Sequence, residues 1–369
     1  MIISIFPQFM ETINPVYGTG YLIQTRIMPP KLQENLVIRT GLLDEINSSS
    51  GKKLILVTAP SGYGKSSLIN EYLVYYKKTA AWVHLNREFK NLFSLLNYIT
   101  ASLNRLNPEF GSNLTELINL CIKENKNFAG QENVISELTG RFINELVFSF
   151  SSDVFIVLDD YHELDNNTEI NNFLDGLIKE MPDNIHFIIS SREIPGLNLA
   201  YLGSKQELKH LTLNELNFNS EEIKLLANEI YKRELPESSI ELIYTVTGGW
   251  VTGIHLVIQS ADFFSNSGIL NDVLPRNIYI YFAEEVFGRL KDSQRSFLLK
   301  TSHLQGFNEN ICNNILDITD SREILKSLME KNIFLEEKGV ITESGSVETD
   351  YNYIQLFKNF LVKKSCRRT

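Results

Sequence analysis

The chain alternates between short apolar runs and longer stretches of helical periodicity from about residue 31 to residue 213. The apolar runs are nearly continuous in hydrophobic residues, which is typical of strands that helices cover on both faces. Strands of this kind, each separated from the next by a helical stretch, predict a parallel α/β sheet. The predicted strands are 54–57, 80–83, 154–158, 185–189 and 208–213.

Helical periodicity dominates after the last predicted strand. Asn219 and Glu222 have the spacing of a capping box, which predicts a helix from there through Tyr231. Pro236 predicts the start of the next helix. The chain is predicted to remain helical to about residue 333.

A hairpin is predicted near the end of the sequence. The apolar runs 333–335 and 340–342 flank Gly339, which we expect at the turn between two strands. An apolar and aromatic run follows at 351–362. Helices followed by a small hairpin indicate a winged-helix unit.

A phosphate-binding loop follows the first predicted strand directly. The sequence TAPSGYGKSS has P-loop spacing, with Ala59 in place of the first glycine. Gly62 and Gly64 let the backbone turn its N–H groups around phosphates. Lys65 brings a positive charge to the β- and γ-phosphates, and the Ser66 hydroxyl is a predicted Mg²⁺ ligand. A helix follows at once, so its N-terminal dipole faces the phosphates. The predicted phosphate-binding residues are Ser61, Gly62, Tyr63, Gly64, Lys65, Ser66 and Ser67.

Two carboxylates end the third predicted strand, at the edge where open parallel sheets bind their ligands. Asp159 is predicted to hold Mg²⁺, together with Ser66. Asp160 is predicted to orient or deprotonate the attacking water. An ordinary acidic turn is the alternative, but the P-loop upstream favours a hydrolytic site.

The fourth predicted strand ends in Arg192. An arginine at this edge can contact the γ-phosphate and so distinguish ATP from ADP; an ordinary solvated arginine after a strand is the alternative. If this strand lies beside the P-loop strand, the fold is that of NTPases with one strand inserted between the two Walker strands. The predicted catalytic residues are Lys65, Asp160 and Arg192.

These motifs together resemble the MalT-like, LuxR-family ATP-dependent regulators, a branch of the STAND signal-transduction ATPases. The resemblance covers residues 26–361. The segments that carry it are LVIRTGLL at 36–43, TAPSGYGKS at 58–66, AWVHL at 81–85, DDYHEL at 159–164, TGGWVTGIHL at 247–256, YFAEEV at 281–286, FLLKTS at 297–302 and the run 351–361.

The resemblance implies a switch with ATP or ADP and Mg²⁺ as cofactors. It places Val37, Ile38 and Arg39 in contact with the adenine. It also implies slow hydrolysis that acts as a timer, and self-association in the ATP state. The expected bounds are 1–30 for an irregular leader, 31–213 for the P-loop ATPase domain, 214–272 for a small helical domain, 273–362 for a winged-helix domain and 363–369 for a basic tail.

The sequence departs from the family in two respects. Relatives continue into helical sensor repeats and a DNA-binding helix-turn-helix, neither of which is present in these 369 residues, so the inducer is not predicted. Ile354 stands where the family usually carries a histidine, and related proteins use such a histidine against ADP. Whether ADP locks a closed state is therefore left open.

Composition limits the partners. The net charge is −10 and the isoelectric point is about 5.3, so no general attraction to nucleic acid or to anionic membranes is expected. No signal peptide or membrane helix is recognised. Cys121, Cys312 and Cys366 show no metal-ligand spacing. We therefore expect a cytoplasmic protein that does not bind DNA specifically by itself.

Two other functions fit parts of the pattern. A metabolic P-loop enzyme, such as a small-molecule kinase, would need a lid with several arginines, and Arg192 is the single candidate near the site. A transcription factor that reads DNA directly with its winged helix would need a basic face. The sequence offers for this the tail residues Lys363, Lys364, Arg367 and Arg368.

Overall fold

The computed structural model describes residues 22–32, 37–89, 91–112, 114, 132–164, 167–259, 276–331, 333–341 and 347–366. Of the predicted leader, 1–30, residues 1–21 lie outside these ranges. Leu36, Cys121, Thr342 and the tail residues 367–369 lie outside them as well. Within the described ranges, none of the helices combines the length and hydrophobicity needed to span a bilayer.

Five parallel strands of the described residues form one sheet. The strands are β1 Leu54–Thr58, β2 Ala80–His84, β3 Val154–Asp159, β4 Ile185–Ser191 and β5 Leu208–Leu211, in the order β2-β3-β4-β1-β5. Strand β4 pairs with both β1 and β3, which confirms the predicted insertion of one strand between the two Walker strands. Strand β5 ends two residues earlier than predicted, because Thr212 and Glu215 form a capping box that starts a helix.

Helices cover both faces of this sheet. Alternate residues of a strand point to opposite faces, so Leu54 and Leu56 of β1 belong to one buried core, whereas Ile55 and Val57 belong to the other. Helices α3, α4 and α5 cover the first face, and α1 and α2 cover the second. The helices of this part are α1 Thr40–Ser48, α2 Lys65–Tyr75, α3 Leu92–Asn104, α4 Glu132–Ser149, α5 Thr168–Glu180, α6 Leu199–Ser204 and α7 Leu213–Leu216.

The segment after the sheet is helical, as predicted. Asn219 and Glu222 exchange the side-chain and backbone hydrogen bonds of a capping box. The helix continues as a π-helical turn, Leu226–Ile230, and ends one residue before Tyr231. The next helix starts directly after Pro236, as predicted. The helices are α8 Ser220–Leu225, α9 Glu237–Thr247, α10 Val251–Gln259 and α11 Arg276–Tyr281.

A winged-helix arrangement follows a π-helical turn at Phe282–Val286. Its last helix extends to Ser365, so Lys363 and Lys364 are helical residues. The elements are α12 Asp292–Thr301, α13 Glu309–Leu316, α14 Ser321–Glu330, β6 Leu335–Ile341, β7 Val347–Tyr353 and α15 Gln355–Ser365.

The prediction that Gly339 forms the hairpin turn is wrong. Gly339 lies inside β6, opposite Thr349 of β7. A glycine is a strong local turn signal, but the paired and buried Leu335 and Tyr353 fix the register of the two strands. The connection therefore falls between residues 341 and 347.

One aromatic cluster joins the P-loop side of the sheet to the C-terminal part of the chain. The indole of Trp250 is completely buried and stacks on Phe282, with ring centroids 5.2 Å apart. Phe334 contacts Trp250, at 5.1 Å, and Tyr63 of the P-loop, at 6.1 Å. Because these rings belong to one hydrophobic core, the P-loop is packed directly against the helical and winged-helix segments.

Candidate functional site

The P-loop connects β1 to α2 and needs glycine at two positions. Gly62 and Gly64 have φ angles of 79° and 78°, in the left-handed region that favours glycine. A Cβ atom on Gly62 would lie 2.6 Å from Oγ1 of Thr252 and 2.9 Å from Nε1 of Trp250. The loop is therefore restricted both by its own backbone and by the helical segment that covers it.

Lys65 is the first residue of α2 and is buried. Its ammonium donates hydrogen bonds to the backbone carbonyls of Ala59 and Pro60, at 2.8 and 3.0 Å. Burial lowers the pKa of Lys65 to about 8, against the opposing effect of the Asp160 carboxylate. The charge is thus held inside the loop by neutral acceptors, which a phosphate can replace.

Ser66 and Asp159 come together beneath the loop. The Ser66 hydroxyl donates to Oδ1 of Asp159 at 2.8 Å, and the Ser190 hydroxyl donates to the same oxygen at 2.5 Å. Burial alone would raise the pKa of Asp159, but the hydrogen bonds from His84, Ser190 and Ser66 outweigh it and hold that pKa below its usual value. An ionised carboxylate in contact with a hydroxyl is an oxygen donor set that fits Mg²⁺.

His84 belongs to the same group of side chains, although the sequence analysis did not single it out. Its Nδ1 lies 3.3 Å from Oδ2 of Asp159 and 3.9 Å from Oδ2 of Asp160. The hydrogen bond with Asp159 raises the pKa of His84. The sequence signal was its position: His84 directly follows the second predicted strand, and Asp159 directly follows the third, so both reach the same edge of a parallel sheet. The structure pairs these two residues.

Asp160 follows β3 in a left-handed backbone conformation, with φ of 62°. Its backbone N–H donates to the Ser190 hydroxyl at 2.9 Å, which fixes the turn. Burial, followed by the negative charge of Asp159, raises the pKa of the Asp160 carboxyl. A carboxylate with a raised pKa is the better proton acceptor of the two.

Arg192 follows β4 and reaches the same edge of the sheet. Its Nη2 lies 3.5 Å from Oε2 of Glu285, in the π-helical turn that leads into the winged helix. Arg192 and Asp160 therefore occupy neighbouring strand ends, and Arg192 also contacts a remote segment of the chain.

A cavity of about 390 Å³ joins these groups to the helical segment. Ile38 and Asp159 are absent from its lining: Ile38 is 55% exposed, and Asp159 lies behind Ser66. The lining residues are Val37, Arg39, Ser61, Gly62, Tyr63, Gly64, Lys65, Ser66, Ser67, Leu68, Glu71, Asp160, Arg192, Leu216, Phe218, Leu226, Val251, Thr252 and His255.

Arg39 connects the start of the α/β part to the helical segment. Its guanidinium donates to the Glu222 carboxylate at 2.6 Å and to the backbone carbonyls of residues 215–217. It also lies over the ring of Phe218, 4.8 Å from the centroid. These contacts stabilise the wall of the cavity, so the Arg39 guanidinium is already paired within the protein.

Thr252 provides a second connection, which the sequence motifs did not reveal. Its backbone N–H and its hydroxyl both donate to the Gly62 carbonyl, at 3.2 and 2.8 Å. Because Thr252 lies in the first turn of α10, the P-loop backbone is bonded to the helical segment.

Ile354 is a buried packing residue. It precedes α15, and its side chain contacts the left-handed Gly248 at the end of α9. Ile354 is absent from the lining of the cavity in the described residues.

The comparisons with known proteins agree with this architecture. Residues 283–369 match the family described as the MalT winged helix domain, and residues 37–192 match the family described as nephrocystin 3, N-terminal. The HTH-type transcriptional regulator MalT of Vibrio campbellii is 25% identical over 318 residues, which are 85% of this chain and 34% of that protein. MalT of Vibrio cholerae is 23% identical over 354 residues, with 92% of this chain and 36% of that protein covered.

Among solved structures, a Walker-type ATPase of Pyrococcus abyssi superposes with a TM-score of 0.55 at 13% identity, covering 90% of this chain and 98% of that one. At this identity the likeness shows the fold alone.

The chain spans about one third of the length of the MalT relatives. The predicted resemblance to MalT-like regulators is confirmed. The predicted fold class, a parallel-sheet P-loop domain followed by helical and winged-helix parts, is confirmed as well.

Proposed function

We propose that this chain is the nucleotide switch of a MalT-like regulator: it binds ATP with Mg²⁺ in the described cavity, hydrolyses it slowly and self-associates in the ATP state. The observation that carries the proposal is the pair of hydrogen bonds from Thr252 to the Gly62 carbonyl. The loop that would surround the phosphates is thereby bonded to the helical segment.

Each polar group at the sheet edge has a role in this proposal. Lys65 exchanges its bonds to Ala59 and Pro60 for bonds to the phosphates. Ser66 and Asp159 hold Mg²⁺, which neutralises phosphate charge. Asp160 orients and deprotonates the attacking water.

Arg192 transmits the state of the nucleotide. Its guanidinium lies beside Glu285 at the start of the winged-helix part, and a γ-phosphate would compete with that carboxylate for the same charge. ATP and ADP would therefore bind Arg192 unequally, and a ligand shifts a conformational equilibrium only by such a difference in affinity.

Replacing Thr252 with valine should loosen the helical segment without changing its shape. The substitution removes the hydroxyl bond to Gly62, worth about 1 kcal/mol, and ADP should dissociate about fivefold faster. Stopped-flow release of a fluorescent ADP analogue measures this rate. Thr245→Val is the matched control, because the Thr245 hydroxyl bonds to Glu241 within its own helix. Equal release rates for both variants would mean that Thr252 does not couple the helical segment to the loop.

The chain alone should not bind DNA selectively. With a net charge of −10, and with its basic tail confined to a few residues, it can make few phosphate contacts, and such contacts dominate affinity for DNA. Gel-shift assays with promoter fragments and shuffled sequences should show no difference between them. A sequence-selective shift that survives about 150 mM salt would instead support a DNA-reading winged helix.

A further inference from the structure

Glu71 is an acidic side chain that the proposed phosphate chemistry does not use. It lies in α2, four residues after Ser67, so both side chains lie on the same face of the helix, and both line the cavity. At 1.5 Å per residue, Glu71 lies about 9 Å along the helix from Lys65. It is therefore placed beyond the phosphate-binding end of the cavity.

One oxygen of the Glu71 carboxyl lacks a hydrogen-bond partner within the described residues. Its Oε1 atom is buried and accepts no hydrogen bond. Burial raises the pKa of this carboxyl to about 7, and the charge of Arg39 offsets part of that effect. Arg39 gives its own hydrogen bonds to Glu222 and to backbone carbonyls. A half-buried carboxyl with one unpaired buried oxygen costs folding free energy, so packing alone would favour an apolar residue at position 71.

The surroundings of Glu71 suit a flat, largely apolar group. Leu68 lies one turn earlier in α2, and Leu216 of α7, Phe218 and Leu226 line the same cavity from the chain that follows the sheet. These four side chains are mostly or fully buried. Sites that bind small molecules combine such apolar walls with a few polar groups that set orientation. With the phosphates held by the P-loop, the base of a nucleotide would lie against these walls.

We propose that the Glu71 carboxylate accepts a hydrogen bond from the exocyclic amino group of the bound purine and so selects the base. This inference rests on the proposed function, because it assumes that a nucleotide binds in the cavity. The amino group supplies the donor that the buried Oε1 lacks. A purine without it would leave the carboxylate unpaired, at a loss of affinity.

Two purines carry such a group, adenine at position 6 and guanine at position 2. The proposed ATP ligand makes the adenine amino group the expected donor. Removing one amino group at a time separates the two sources.

The test compares ATP with purine riboside triphosphate, which lacks the 6-amino group, and GTP with ITP, which lacks the 2-amino group. Calorimetry at about pH 7.5 keeps most of the carboxyl ionised, since this is above its pKa of about 7, and stays below the pKa of about 8 at which Lys65 loses its charge. Loss of the 6-amino group should weaken binding to the wild-type protein about tenfold or more. The two nucleotides should bind Glu71→Leu within about threefold of each other, and Glu71→Gln, which keeps an acceptor oxygen, should give an intermediate ratio. A tenfold ratio in the GTP pair instead would support the proposal with guanine as the base.

Controls separate this inference from the proposed function. Glu180→Gln removes an exposed carboxylate of α5, outside the cavity, and should keep the wild-type ratios. If ATP binding depends on Lys65 but the ratios are the same in wild type and Glu71→Leu, the role of Glu71 is overturned while the function stands. If ATP binding is independent of Lys65, the proposed function fails first.

Discussion

Replacing Lys65 with alanine is expected to weaken ATP binding at least about tenfold, because one charge-assisted hydrogen bond to phosphate is worth about 1.5–3 kcal/mol. The ammonium is buried, and its present acceptors are the carbonyls of Ala59 and Pro60. The substitution also removes a buried charge, so the variant should fold. Isothermal calorimetry measures both affinities, and Lys326→Ala, which removes an exposed lysine of α14, should bind like the wild type.

The same lysine predicts a pH dependence with a definite sign. Burial lowers the pKa of Lys65 to about 8 in the free protein, and phosphate binding requires the charged form. Above that pH the protein must take up a proton as it binds ATP, so affinity should decline as the pH rises. Lys65→Ala should lack this decline. Equal affinities of wild type and variant at every pH would show that the loop does not bind phosphate.

The exchange of Asp160 for asparagine should reduce ATP turnover about 10²- to 10⁴-fold, the usual contribution of a general base, with binding changed by less than about twofold. Asparagine removes the proton acceptor but tolerates the left-handed backbone of this residue. Because the variant would remain in its ATP state, it should also stay self-associated for longer. Single-turnover hydrolysis and light scattering measure these two effects.

Asp183→Asn is the control for that experiment, because Asp183 is an exposed aspartate in the connection between α5 and β4. It should hydrolyse ATP at the wild-type rate. An Asp160→Asn protein that loses binding but keeps its rate at saturation would show that Asp160, not Asp159, holds the metal.

The sheet could be predicted from the sequence because each strand is covered on both faces. A buried strand needs a run of apolar residues. The runs that begin at Leu54 and Val154 are long enough to be recognised without knowing which strands pair with them. The hairpin is different, since β6 has polar residues on its exposed side and its register depends on the pairing of Leu335 with Tyr353. The local turn propensity of Gly339 therefore predicted the hairpin turn at the wrong position.

The residues of the site also fall into those that a local sequence pattern predicts and those that depend on distant contacts. Lys65, Ser66 and the acidic strand end follow from contiguous motifs, because the chemistry and the backbone geometry occupy the same few residues. Thr252 contacts the P-loop, and Glu285 contacts Arg192. Each contact joins residues that are more than 90 positions apart in the chain. No local pattern encodes contacts of that range. Ile38 illustrates the opposite case, because its motif was recognised but its exposed side chain is absent from the lining of the cavity.

The position of Trp250 gives the protein an optical signal of its own. The sequence contains two tryptophans. Trp82 is buried within β2, whereas the indole nitrogen of Trp250 lies against Gly62 and its ring contacts Tyr281, with centroids 5.0 Å apart. Indole emission follows the polarity and contacts of its surroundings, so a shift of α10 relative to the P-loop alters Trp250 and leaves Trp82 as a constant background. With Trp82 replaced by phenylalanine, the chain would carry a single tryptophan, at the junction, and selective excitation of that indole would record nucleotide exchange in real time without an attached dye.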